Sequence, residues 1–319
     1  MKTINFIIFF VLIFSVISCD DSSNSTNNTS TLNNLNNSAI CGNVGGESYT
    51  YVISEIYIPS NPAENVGADL DGDGFVDNKL ANLMQSLLST SSDFSINPVL
   101  AETIEKGDTA ILANLKIEDF TGDNSISATL IEGSFTGTDL GTMFSGNGVF
   151  SVDTQSPTSA TLCGRVYGNG YLDMGPASVD FSLPVSDTQT VNITLHNAVL
   201  QGTASEEEWT DIIIAGAVEV AAIRDSVLPA FVENVNDDIL DDPEGSQFIL
   251  DTFDNQCSSE YSGCDDLSEC VDDGVITLTE LKCNGTVNIV LTPDITIDGV
   301  DYVSLGLKVQ AVKAVIDNL

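Results

Sequence analysis

The chain has 319 residues, with 9 Lys+Arg against 47 Asp+Glu, a formal net charge of -38 and 42% apolar residues. The apolar share is that of a globular protein, but the charge argues against nucleic acid, because phosphate contacts need clustered Lys and Arg and none exist here. One His and a lack of close Cys pairs argue against a zinc site.

Residues 1–19 read MKTINFIIFFVLIFSVISC. Lys2 supplies a positive start, and Ile7 to Val16 is apolar apart from Ser15. At about 14 apolar residues the stretch is short for a membrane span, which needs roughly 20. Val16-Ile17-Ser18-Cys19 resembles the cleavage box of bacterial lipoproteins. That resemblance implies a signal peptide over residues 1–18 and a diacylated Cys19 as the first mature residue. It places the chain in the cell envelope, anchored by lipid to a membrane on the periplasmic face or the cell surface. A transmembrane anchor, or a signal cleaved elsewhere, is the alternative. Residues 20–39, DDSSNSTNNTSTLNNLNNSA, bury almost nothing and read as a disordered tether. Their reach is roughly 25 Å at about 5–6 Å × √n.

Residues 41–319 read as a single domain large enough for a real core, with the Cys-rich, acidic stretch 241–319 as a candidate subdomain. Six cysteines remain beyond Cys19: Cys41, Cys163, Cys257, Cys264, Cys270 and Cys283. An even number in an exported chain predicts three disulfides. Four of them crowd into 257–283 and are expected to pair among themselves in an unspecified order. Cys41 and Cys163, each opening a Cys-Gly-x-Val segment, are candidates to pair with each other.

The segment SYTYVISEIYIP at 47–58 reads as a strand. NKLANLMQSLLST at 78–90 places Leu80, Leu83, Met84, Leu87 and Leu88 at helical spacing. A second helix is predicted after Asn97, with Asn as N-cap, Pro98 at the first position and Gly107 past the end. From 109 to 220 seven strand-like segments alternate with Gly, Asn, Asp and Ser clusters. Residues 219–240 read as a helix broken or kinked at Pro229. VDYVSLGLKVQAVKAVI is the closing strand, a candidate to pair with 47–58. The fold class is therefore α+β and β-dominated: a large antiparallel sheet, sandwich or barrel with a few flanking helices.

The sharpest chemical signal is Asp69-Leu70-Asp71-Gly72-Asp73-Gly74-Phe75-Val76-Asp77-Asn78. Calcium takes six to eight oxygens in a small volume, and carboxylates at alternate positions of a tight turn supply them. Asp69, Asp71, Asp73, Asp77 and the Phe75 carbonyl are the candidate ligands. Gly74 permits the bend, and Val76 is expected to point inward and anchor the loop. The pattern resembles the EF-hand loop and, more closely, the dockerin and thrombospondin type 3 loops. It departs from them at the twelfth position, where Leu80 replaces the bidentate Glu, so another segment or water must complete the sphere, or affinity is weak. The plain alternative is a solvated Asp-Gly turn. Ca²⁺ fits better than Mg²⁺, because several loop carboxylates suit its flexible coordination.

A second candidate, Glu269 to Leu281, matches in its latter half: Asp273, the Val275 carbonyl, Thr277 and Glu280 take ligand positions. Its first half fails at Val271, and Asp265, Asp266 or Asp272 would have to substitute. The plain alternative is a solvated acidic turn. A third stretch, Asp294 to Asp301, has only a skeleton of ligands and reads as a turn between strands.

The DLDGDG…DN turn near one end, and the DDGVI…E turn with its following PD-rich, SLG-containing segment near the other, resemble bacterial envelope lipoproteins of uncharacterised function. The resemblance covers the two ends and not the middle. It implies an envelope location and calcium but no activity. The chain lacks a G-x-S-x-G elbow, an H-E-x-x-H and a phosphate-binding glycine loop. His196 and Trp209 read as structural. The expected role is non-enzymatic, with the membrane as partner through Cys19 and any protein or small-molecule partner open. The rival is a carrier enclosing a lipid or carbohydrate ligand.

Overall fold

The computed structural model describes residue 41 and residues 44–79, 81–82, 97–107, 110–153, 161–184, 190–243 and 246–317. The expected signal and tether, Cys19, and most of the helix expected over 78–90 lie outside the described residues.

Alternation along the strands sets the architecture. In β2 (Ala110–Ile117), Ala113, Leu115 and Ile117 face one core, while Ala110 and Leu112 face another. A strand buried on both faces explains the nearly unbroken apolar run. β1 (Glu47–Tyr57) divides in the same way, with Tyr51 and Ile53 on one side and Val52 on the other.

Eight strands close into an antiparallel barrel: β1, β2, β3 (Asp123–Phe135), β5 (Thr161–Val166), β6 (Tyr171–Pro184), β7 (Thr190–Ala204), β8 (Glu208–Glu219) and β10 (Val300–Asp317), which returns to β1. The closing pair is the one suggested by the sequence, with Tyr51 opposite Lys313 and Tyr57 opposite Lys308. β4 (Gly148–Val152) lies between β3 and β10, and β9 (Ile295–Ile297) forms a short hairpin with β10. Closure removes the exposed edges that an open sheet of this size would present.

An eight-stranded barrel is just wide enough for side chains to fill it. Trp209 is fully buried there, with its ring 5.1 Å from that of Tyr51. The Tyr51 hydroxyl donates to the Ser205 carbonyl at 2.6 Å. A second cluster of Val52, Leu112, Met143 and Phe150 lies on the other face of β1 and β2.

β8 runs directly into a helical turn at Val220–Ala222, a π segment at Ile223–Val227 and helix α2 (Leu228–Asp241). The predicted interruption is thus real and sits one turn upstream of Pro229. Its ring would crowd the carbonyl four residues back, and the wider π turn relieves that contact. α2, α3 (Gln247–Phe253), α4 (Leu278–Cys283) and α5 (Gly285–Val290) add Phe231, Val235, Phe253, Leu281 and Val287 to the barrel core. The 241–319 portion therefore shares one core with the barrel.

α1 spans Asn97–Lys106, where a helix was expected. The Asn97 side chain accepts from the Ile58 N–H at 2.8 Å and donates to the Ile58 carbonyl at 3.1 Å.

Three disulfides form. Cys41 pairs with Cys163, Cys257 with Cys270 and Cys264 with Cys283.

Candidate metal centre

The Asp69 loop grows out of the outer wall of the barrel. Its base is a single antiparallel bridge, Ala68 opposite Asp77, with the Asp77 N–H donating to the Ala68 carbonyl at 2.8 Å. Ala68 and Leu70 pack against Val199, Ala215, Ala217, Ile295 and Tyr302. Asn78, 7% exposed, donates to the Val66 and Gly306 carbonyls at 2.5 and 3.0 Å. Its oxygen accepts from Ala81 N at 3.1 Å and caps the helical turn that leaves the loop. Gly306 makes this docking possible: a Cβ there would lie 2.6 Å from the Val66 carbonyl oxygen and 2.7 Å from the Gly67 Cα.

Inside the loop the carboxylates hold the backbone. Asp69 accepts from Gly72 N at 2.7 Å and Gly74 N at 3.0 Å. Asp71 accepts from Asp73 N, Asp73 from Phe75 N, and Asp77 from Leu70 N at 2.7 Å. Asp69, Asp71 and Asp77 each present one oxygen, all within 4.8 Å of one another. Among the described residues this is the group of three acidic side chains so placed. Such a group could share a cation, and without one its charged members repel.

In Asp77 burial outweighs that repulsion. Its carboxyl is pushed up to about 7, chiefly by burial, with the Leu70 N–H opposing and the charges of Asp71, Asp73 and Asp294 adding to the rise. Asp294 comes from the third acidic stretch. That stretch is the β9–β10 hairpin, and Asp294 accepts from Ser304 N at 2.8 Å. The Ser304 hydroxyl, which also bonds Asp294, accepts from Lys79 N at 2.9 Å.

Two details differ from the sequence reading. Asp73 stands outside the three-carboxylate group. Val76 does not anchor the loop: it is 41% exposed, and its neighbour Phe75 is 55% exposed. The bridge at Asp77 turns that carboxylate toward Leu70 N, and alternation then directs Val76 outward. Leu70 and Asn78 do the anchoring, and long-range contacts of this kind carry no local sequence signal.

In the second loop, Asp273, Val275, Thr277 and Glu280 do not bring three carboxylates together. Glu280 is fully buried and reciprocally caps α4: it accepts from Thr277 N at 2.8 Å, and Thr277 Oγ1 accepts from Glu280 N at 3.1 Å. Its other oxygen accepts from Asn255 N at 2.7 Å. Val275 is exposed, and Asp273 accepts from Val275 N at 3.1 Å.

His196 sits beside Tyr302, with ring centroids 5.2 Å apart. Among the described residues no helix is long and apolar enough to cross a membrane. No protein-family model, curated protein or solved structure matches the chain.

Proposed function

We propose that this is a calcium-stabilised envelope lipoprotein, anchored through Cys19 and acting as a structural or interaction module rather than as an enzyme. The observation that carries the calcium reading is the convergence of Asp69, Asp71 and Asp77 oxygens within 4.8 Å on a loop docked to the barrel wall. Ca²⁺ between them would replace mutual repulsion with attraction and fix the loop against β7, β8 and β10. The affinity expected of an extracellular module is roughly 10⁻⁴–10⁻³ M. Attachment rests on the signal and Cys19.

Two measurements, one on cells and one on the purified chain, test the reading. Radiolabelled palmitate should enter the wild-type chain and not Cys19→Ser, and the wild type should fractionate with membranes. Calcium should bind the purified full chain in detergent and bind Asp71→Ala with one equivalent fewer. Equal calcium uptake by both proteins would remove the metal reading, and palmitate on Cys19→Ser would remove the anchor.

A further inference from the structure

The second acidic loop fails in its first half: Val271 stands where a ligand is needed, and Glu269 at the first position instead accepts from Thr279 Oγ1 at 2.5 Å. The fold brings a leading carboxylate from another segment. Asp254, just past the end of α3, turns its side chain onto this loop, and its Oδ2 accepts from Gly274 N at 2.8 Å. In the first loop Asp69 makes the equivalent bond, with its Oδ2 accepting from Gly74 N at 3.0 Å. The next bond also recurs: Asp73 accepts from Phe75 N at 2.8 Å, and Asp273 from Val275 N at 3.1 Å. Both glycines are left-handed, with φ of 91° and 79°. Asp254 therefore stands to Gly274 as Asp69 stands to Gly74, although it reaches the loop from the opposite side of the Cys257–Cys270 disulfide.

The independent observation is the other oxygen. Asp254 is 6% exposed, and its Oδ1 is buried with no hydrogen-bond partner among the described residues. A buried carboxylate oxygen without a donor is costly and calls for a partner. No Lys or Arg occurs between Arg224 and Lys282 to serve as one from the local chain.

We infer that Asp254 is the leading ligand of a second divalent-cation site, assembled from two separated segments. Its Oδ1, the Asp273 carboxylate and the Val275 carbonyl are the protein ligands, and water completes the sphere. Glu280 is a brace and not a ligand: by holding Asn255 N and Thr277 N it fixes the Asp254 segment to the loop. With fewer converging carboxylates than the first loop, this site is the weaker of the two.

The test is a calorimetric titration of the full chain in detergent with Ca²⁺ alone. The wild type should take up two equivalents, Asp254→Asn one, and Asp71→Ala the other one. Should Asp254→Asn lose its native far-UV circular dichroism, the surface variant Asp273→Asn stands in and should also lose one equivalent. Retention of the wild-type stoichiometry by the folded Asp254→Asn or by Asp273→Asn would overturn the inference. A single wild-type equivalent abolished by Asp71→Ala would overturn it while leaving the first loop intact. A single equivalent abolished by Asp254→Asn alone would uphold it and refute the first loop.

Discussion

Replacing Asp77 by Asn should stabilise the protein without calcium and weaken it with calcium. Folding raises the Asp77 carboxyl from 3.8 to about 7. The folded state thus holds this proton more tightly than the unfolded chain does. Below about pH 4 both states are protonated and the group contributes nothing. Between about pH 4 and 7 the unfolded chain gives up a proton that the folded state keeps, so stability falls across that window and levels off above it. At 1.36 kcal/mol per tenfold, the full difference is about 4 kcal/mol, and solvent screening of a half-buried loop leaves roughly 2 kcal/mol. Asn mimics the protonated form and can still accept from Leu70 N, the bond that Asp77 makes at 2.7 Å. In EDTA at pH 8, Asp77→Asn should therefore melt above the wild type by roughly 4–8 °C. Near pH 4 the two should coincide. In excess Ca²⁺ the order should reverse, because Asn is the poorer ligand. Trp209, the single tryptophan and fully buried, reports unfolding by fluorescence. A variant less stable than the wild type in EDTA at pH 8, or one with the same pH slope, would refute the reasoning.

Gly306→Ala should weaken Ca²⁺ binding although residue 306 is no ligand, because the new Cβ would meet Val66 and Gly67 and displace the loop from the wall. Calcium titration checks this, and unchanged affinity in a folded variant would contradict the docking. Removing the Cys41–Cys163 disulfide, which joins residues 122 apart, should cost about 5 kcal/mol by the chain-entropy relation. Urea unfolding of Cys41→Ser/Cys163→Ser measures it. Replacing Glu280 by Gln should destabilise α4 by roughly 1–3 kcal/mol, because one of its three backbone and hydroxyl donors is left facing an amide N–H₂. Thermal unfolding checks this, and no loss would show that the brace is dispensable.

What could be read from the residues alone followed from locality. The strands of 109–220 announce themselves by β-rich runs between turn residues, and the Asp69–Asp77 spacing by its own chemistry. Even the closing pair of β1 and β10 was suggested, because a barrel leaves the first and last strands as natural neighbours. What escaped was long-range. Val76 occupies an inward position in an isolated loop, and only the bridge to Ala68 directs it out. Glu280 has a ligand's spacing, but Asn255, twenty-five residues earlier, claims one oxygen while the cap claims the other. Asp254 lies too far upstream of Gly274 for any motif to join them. Only the disulfide and the end of α3 bring the two together.

The most direct test of the account is thermal unfolding of the full chain, wild type and Asp71→Ala, in EDTA and in 10 mM Ca²⁺. At about 100 times a dissociation constant of roughly 10⁻⁴ M, a ligand of the folded state adds about 2.7 kcal/mol. The wild type should gain roughly 5–10 °C, and Asp71→Ala should lose the share contributed by the first loop. Identical melting of the wild type in EDTA and Ca²⁺ would contradict the claim that the Asp69–Asp77 loop holds calcium.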